Sequence, residues 1–514
     1  MNKKLFGRDL DYRKVYVLLF IVIFFITRFL FVGYEEINPD TVNWYYRSEQ
    51  FIVGLKSLQL EKTYQHYHPG TTLMWIMGIS TEIIKKIDAV GEVINNENFL
   101  VFHIVTKVVF GLVQLVLSLA ILYLLSKILG FVKALLVVSI FSFEPFFIGN
   151  SRFLHLDVLL SLFIITTLAL SFYNYYVREK PSSYISIIIG ILALLTFLTK
   201  SIGISVLPMI VLTIMLGNPK YRLQSIIIVL SSLILMAPIF LPALIKDYSG
   251  TIALIFKEAL RIGNKNGHEQ IFLGEETINA GFWFYFVSLL IKVSPLLMVS
   301  TVTGVIVFTS NIKKNITKID KFYLLSALYY VGYFVVMSLL SKKLDRYMIP
   351  MFPFFSLFAV YAFSKFYDTK SNFSKVMSVV FTLCLFLNVY SLINLFPYYF
   401  VYASQLSGGP VLANSLIAQK PFGQGVVWLK DYLLDKYGEP KNVGIYDRKP
   451  LSMIYPNSKL FDVREYDPTK YDILVLAVNE EIPEKVENGD AAFNLMNILY
   501  INNLPYWRIY EKVK

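Results

Sequence analysis

The sequence predicts a polytopic α-helical membrane protein of about 11 transmembrane helices, with juxtamembrane helices in its outer loops and a small extracytoplasmic α/β C-terminal domain. Three observations predict it: the composition, the long apolar runs, and the placement of Lys and Arg between those runs. Of 514 residues, 56% are hydrophobic and 16% charged, against about 45–50% and about 25% in soluble domains. Such a chain has too little polar surface to cover a water-exposed globule. The single cysteine, Cys384, lies inside an apolar run, which excludes an intramolecular disulfide scaffold.

Apolar stretches long enough for hydrocarbon, about 20 residues each, occur at 15–33, 98–126, 132–149, 154–176, 184–199, 201–217, 224–246, 282–309, 323–341, 346–364 and 376–397. Only Lys200 and its neighbours separate the fifth from the sixth. The first has a basic lead but no small-residue cleavage pattern, so it reads as an anchor. Segments 1–14, 126–133, 177–183, 217–224, 310–322 and 365–375 carry 18 Lys and Arg. A cytoplasmic N-terminus puts all six inside, as the positive-inside rule requires. The net charge of +12 is thereby explained without nucleic acid.

Segments 34–97, 247–281 and the tail from 398 then lie outside. The first holds 9 acids and 5 bases, the second 5 acids and 3 bases. Residues 1–397 are expected to form the transmembrane domain and 398–514 the extracytoplasmic one. Arg152, Lys200, Lys342, Lys343 and Arg346 fall at outer helix ends. Snorkelling to headgroups accounts for any one of them; a shared anionic ligand accounts for the set.

Asn38-Pro39-Asp40 is turn chemistry, and Asp40 can cap the following helix. Residues 41–55 place Trp44, Tyr45, Phe51, Ile52 and Leu55 at mostly helical spacing, as in a helix lying in the interface. His66 and His68 lack a third ligand nearby, so a loop reading is favoured over a metal site. Lys292 falls about ten residues into the eighth apolar stretch, where a charge needs a partner or a polar cavity. Arg28 and Asp157 raise the same question and can pair with one another or with headgroups. In the tail, 421–438 reads as a helix, and 443–446, 473–478 and 507–513 as strands.

These segments resemble, in order, the protein O-mannosyltransferase and aminoarabinose transferase group of C-type glycosyltransferases. Arg28 and Asn38-Pro39-Asp40 are similar to the first helix end and the acidic loop motif of that group. His68-Pro69-Gly70 resembles its His-Pro-Pro, Ser151 to Asp157 its Arg…Leu-Asp element, and Thr199-Lys200 its Lys linker. Gly267 to Pro295 resembles its Gly-His…Lys-Thr-Pro run, and Lys343 to Pro350 its Lys…Arg-Tyr-Leu-Leu-Pro. Thr41 stands where protein mannosyltransferases have Glu, and Gly70 where they have a second Pro.

The resemblance implies a polyprenyl-phosphate sugar donor and an acceptor protein, glycan or lipid. On this reading Asp40 is the general base of an inverting transfer. Arg346 and Lys200 hold the donor phosphate, with Lys292 and Arg152 next. His68, His268, Glu269 and Tyr347 contact sugar or acceptor, and Arg28 and Asp157 are structural polar groups within the membrane. No cofactor is required, and a divalent metal is optional. A flippase for a lipid-linked anionic sugar, or a non-catalytic assembly protein, is the competing reading.

Overall fold

A computed structural model describes the chain except residues 1–3, 6–7, 10, 66–67, 88–90, 92, 266–269, 313–315, 369–371, 489–491 and 514. Each of the 11 apolar stretches is largely helical. Among the described residues, six helices are long and apolar enough to cross a membrane: Phe99–Leu129, Leu156–Val177, Pro219–Phe240, Lys318–Leu339, Asp345–Phe366 and Asn372–Asn394. Phe131–Ser142 and Pro145–Ser151 form a seventh if their 69° bend lies within one span. Thr71–Ile84, Ser183–Thr199, Ser201–Leu216 and Pro295–Asn311 are shorter apolar helices.

The eighth stretch is not one helix. It breaks into Phe284–Lys292 and Pro295–Asn311, with Ser294 capping the second through Leu297 N. Lys292 therefore sits at a helix end, not mid-span. The Tyr402 carbonyl and Gln419 Oε1 accept from its ammonium at 3.2 and 3.1 Å. A charge that insertion scales penalise by about 3 kcal/mol is thus hydrogen-bonded inside the protein.

Arg28 and Asp157 do not pair. Arg28 donates to Thr27 Oγ1 at 2.7 Å and to the Ser142 carbonyl, with its guanidinium over the Phe24 ring. It ties the first helix to the bend after Ser142. Arg152 donates from all three nitrogens, to Glu35 Oε1 and to the Thr27 and Leu30 carbonyls at 2.9–3.0 Å. Lys107 bridges Glu35 and Glu36 at 2.7 and 2.6 Å. Burial raises both carboxyls, but Arg152 and Lys107 outweigh it at Glu35 and hold that group below the usual range.

Past the last long helix, residues 398–425 run back over the membrane helices before the sheet begins. Ser404 N donates to the Ile291 carbonyl at 2.7 Å, and Gly149 abuts the Phe400 backbone. The five-stranded sheet runs Leu460–Asp462, Val443–Ile445, Ile473–Ala477, Leu504–Lys512, Phe493–Ile501. The first three strands are parallel and the last two antiparallel. The edge strands Leu460–Asp462 and Phe493–Ile501 escape sequence reading: one is three residues long, and the other carries Asn494 and Asn497 and is largely exposed. Val426, Leu429 and Trp507 share one buried cluster with Trp44, Phe51 and Met77, so the sheet region is packed onto the helices Pro39–Lys56 and Thr71–Ile84.

Candidate active site

The N-terminal end of the helix Pro39–Lys56 sets the geometry. Asn38, not Asp40, caps it: the Asn38 side chain accepts from Asp40 N at 2.8 Å, and Pro39 occupies the first turn, where no amide is needed. Asp40 is thereby one turn-position too late to cap, and its carboxylate points elsewhere. It accepts from Arg346 Nη2 at 2.9 Å. Burial alone would raise the Asp40 carboxyl, but Arg346 and His155 outweigh it and hold the group well below the usual carboxylate range.

The C-terminal region braces this end from behind. Ile37 N donates to the Gly423 carbonyl at 3.3 Å, and Gly425 N to the Glu35 carbonyl at 2.8 Å. Gly423 has φ +64°, and a Cβ there would lie 2.0 Å from the Ile37 carbonyl oxygen; only glycine fits. Gly70 answers a similar demand. At φ +60°, an added Cβ would lie 2.2 Å from the Trp44 ring. The ring of a second proline at that position would meet the same obstacle.

Asp40, Arg346, Lys200, Tyr347 and His68 converge on one cavity of about 440 Å³. Lys200 donates to Asp157 Oδ1 at 2.7 Å, and its ammonium lies 3.8 Å from the Tyr347 ring centroid. Arg346 is buried, stacks on Phe422, and has Nε 3.6 Å from Asp157 Oδ2. Its Nε and Nη1 make no hydrogen bond among the described residues. Two buried guanidinium donors at a cavity wall are costly unless a ligand takes them. Arg47, Lys200, Lys342, Arg346 and Lys420 line the cavity against two carboxylates, Asp40 and Asp447, so it suits an anion.

A second cavity, of about 270 Å³, adjoins the first. Ile204, Phe256, Leu260, Met337 and Leu340 make it apolar, while His68, Lys200, Lys342 and Tyr347 belong to the walls of both. One side of these four residues is oily and the other is charged.

Arg152 and Lys292 line neither of these two cavities. Arg152 is taken by Glu35, and Lys292 faces Gln419 and Asp345. His66, His268 and Glu269 lie outside the described residues. Among the described residues, no group of three or more His, Cys, Asp or Glu side chains is arranged to hold a metal ion. Sequence reasoning missed His155, whose Nε2 lies 3.6 Å from Asp40 Oδ2 and whose Nδ1 lies 3.0 Å from Asp157 Oδ2. The signal was a His-x-Asp pair at the start of an apolar run. Lys420 and Phe422 were missed too, because they arrive from the far end of the chain.

The architecture matches solved membrane-enzyme structures. ArnT from Cupriavidus metallidurans bound to undecaprenyl phosphate superposes with a TM-score of 0.53 at 10% identity, covering 97% of this chain and 98% of that one. This chain has the ArnT fold. The apo state of the same ArnT gives 0.52 at 11% identity, again over 97% and 98%. The archaeal oligosaccharyltransferase AglB from Archaeoglobus fulgidus, in complex with an inhibitory peptide and a dolichol-phosphate, gives 0.47 at 12% identity over 90% and 69%. No protein-family model and no curated protein sequence matches the chain. Likeness to ArnT extends over the membrane helices and the C-terminal sheet region together, since nearly all of both chains is covered. The fold expected from the motif order is therefore the fold found.

Proposed function

We propose that this chain transfers a sugar from a polyprenyl-phosphate donor to an acceptor hydroxyl at the extracytoplasmic membrane face, its N-terminus lying in the cytoplasm. The observation that carries the reading is the wall shared by the two cavities. A polyprenyl-phosphate sugar is an apolar chain joined to an anion joined to a polar ring. The apolar cavity takes the first prenyl units, the cations at the junction take the phosphate, and the polar cavity takes the sugar. ArnT, whose fold the chain has, was solved with undecaprenyl phosphate bound, which supports the class of donor.

Chemistry follows from the charges. Arg346, released from Asp40, turns its guanidinium edge to the phosphate, and Lys200 and Lys342 add point charges. As the anomeric C–O bond breaks, its electron pair passes to the phosphate, which becomes a monoester dianion. Cations fixed there stabilise the developing charge. The acceptor oxygen attacks the opposite face of the anomeric carbon, and Asp40 takes its proton, so configuration inverts. Phosphate binding also draws Arg346 away from Asp40, which restores basicity to a carboxylate that Arg346 otherwise suppresses. His68 and Tyr347 are placed to contact the sugar, beside the junction.

The test uses purified full-length protein in nanodiscs with a panel of labelled undecaprenyl-phosphate sugars. Release or transfer of sugar supports the enzyme. Lipid movement without cleavage supports a flippase, and neither result supports an assembly protein.

A further inference from the structure

We propose that His155 is a positioning residue that receives the acceptor proton from Asp40, held in place for this by Asp157. This rests on the transferase reading above and adds a residue that the motif resemblance does not assign.

The geometry is a chain of three groups. His155 stands between two carboxylates from different elements: Asp40 near the start of Pro39–Lys56 and Asp157 in the first turn of Leu156–Phe172. Nε2 faces Asp40 at 3.6 Å and Nδ1 faces Asp157 at 3.0 Å. At that 3.0 Å approach His155 Nδ1 and Asp157 Oδ2 are not aligned for a hydrogen bond, and neither atom has another hydrogen-bond partner among the described residues, so each is the other's available partner. Asp157 is anchored in turn by Lys200 at 2.7 Å. A carboxylate behind an imidazole fixes its tautomer and stabilises the imidazolium that forms, as in hydrolase triads. The imidazole lines the cavity wall, so it is not sealed within the core.

Asp40 needs such a partner. A base bonded to a guanidinium is weak, and efficient proton transfer wants a group that titrates nearer working pH. The charged groups facing His155 are Asp40, Asp157 and Arg346, with Lys200 behind Asp157. Burial and Arg346 together lower the imidazole below its ordinary range, against the pull of both carboxylates, so it rests neutral and ready to accept. The step balances. The acceptor O–H bond breaks as its oxygen bonds the anomeric carbon. The C–O bond to phosphate breaks with its electron pair staying on phosphate. The proton reaches Asp40 and then His155 Nε2, leaving an imidazolium beside the phosphate dianion.

The experiment compares wild type, His155→Gln, His155→Ala and Asp157→Asn as full-length protein in nanodiscs. Undecaprenyl phosphate binding is measured first, and then turnover across pH with whichever donor the wild type uses. The expected result is unchanged undecaprenyl phosphate binding by His155→Gln, with kcat about 10²-fold lower. In the wild type, kcat falls as pH drops below the ordinary imidazole range, where the lowered His155 protonates and cannot accept; in His155→Gln that acid limb is lost. Added imidazole partly restores His155→Ala, and Asp157→Asn loses kcat while keeping its imidazole. Rescue and a lost acid limb are outcomes that loss of packing alone does not produce. Wild-type turnover with His155→Gln equal to it in rate and pH profile overturns the relay and leaves the transferase reading standing. A wild type that neither binds undecaprenyl phosphate nor turns over any donor overturns both.

Discussion

Asp40→Asn has two effects of opposite sign, and the pair is diagnostic. The amide keeps the size of the side chain but accepts no proton, so turnover falls by about 10²–10⁴-fold, the usual worth of a general base. Binding of the product lipid phosphate moves the other way. In the free protein Asp40 holds Arg346 at 2.9 Å, and a phosphate that takes this guanidinium from it faces the carboxylate across one side chain. Two like charges about 5 Å apart at an effective dielectric of about 20 repel by about 3 kcal/mol. The Asp40 side chain is 36% exposed, so solvent screening leaves about 1 kcal/mol. Removing the charge should tighten undecaprenyl phosphate binding by about 5-fold, since 1.36 kcal/mol is tenfold. Titration of labelled undecaprenyl phosphate into nanodisc-held protein reads the affinity, and labelled sugar transfer reads the rate. Retained turnover removes Asp40 as the base. Weaker phosphate binding by Asp40→Asn refutes the claim that Asp40 and phosphate compete for Arg346.

Arg346→Lys keeps one charge but loses the fork, so undecaprenyl phosphate affinity should fall by about 10-fold or more, the loss of one charge-assisted hydrogen bond, as read by the same titration. Leu260→Trp fills part of the 270 Å³ apolar cavity. It should weaken undecaprenyl phosphate while leaving a short water-soluble alkyl phosphate unchanged, and equal loss for both ligands argues against a prenyl site there. Lys107→Met strands Glu36 in the interior while Glu35 keeps Arg152 and should destabilise by about 3–5 kcal/mol, visible as a lowered thermal midpoint in detergent. Gly423→Ala drives a methyl into the Ile37 carbonyl; it should lower turnover by displacing Asp40 even where the protein still purifies folded, and a wild-type rate shows that this brace does not set the site. Dialysis against a chelator followed by transfer assay decides metal dependence, with undiminished turnover expected if the cations of the cavity alone stabilise the phosphate.

The divide between what was legible in the chain and what was not follows charge and distance. Apolar runs announced their helices because hydrocarbon tolerates little else, and outer-end bases stood out because they break a strong rule. So Asp40, Lys200, Arg346 and Tyr347 could be singled out one by one. Their fates could not be read from type or position. Arg152 and Arg346 both stand at ends of apolar runs, yet Glu35 and two carbonyls occupy the first while the second lines a cavity with two nitrogens unbonded among the described residues. The break that relieves Lys292 depends on a carbonyl 110 residues away. Asp40 looked like a helix cap, and a one-position shift to Asn38 freed it for Arg346, 306 residues on.

Sequence by itself determined the helical membrane architecture, because composition and periodicity report local solvent preference. Tertiary structure decided which charges face one another and which face a ligand. Those choices depend on Coulomb and hydrogen-bond energies between segments hundreds of residues apart, and no local pattern encodes that distance. His155 shows the limit: nothing in its neighbours along the chain says that a second carboxylate waits at its far nitrogen.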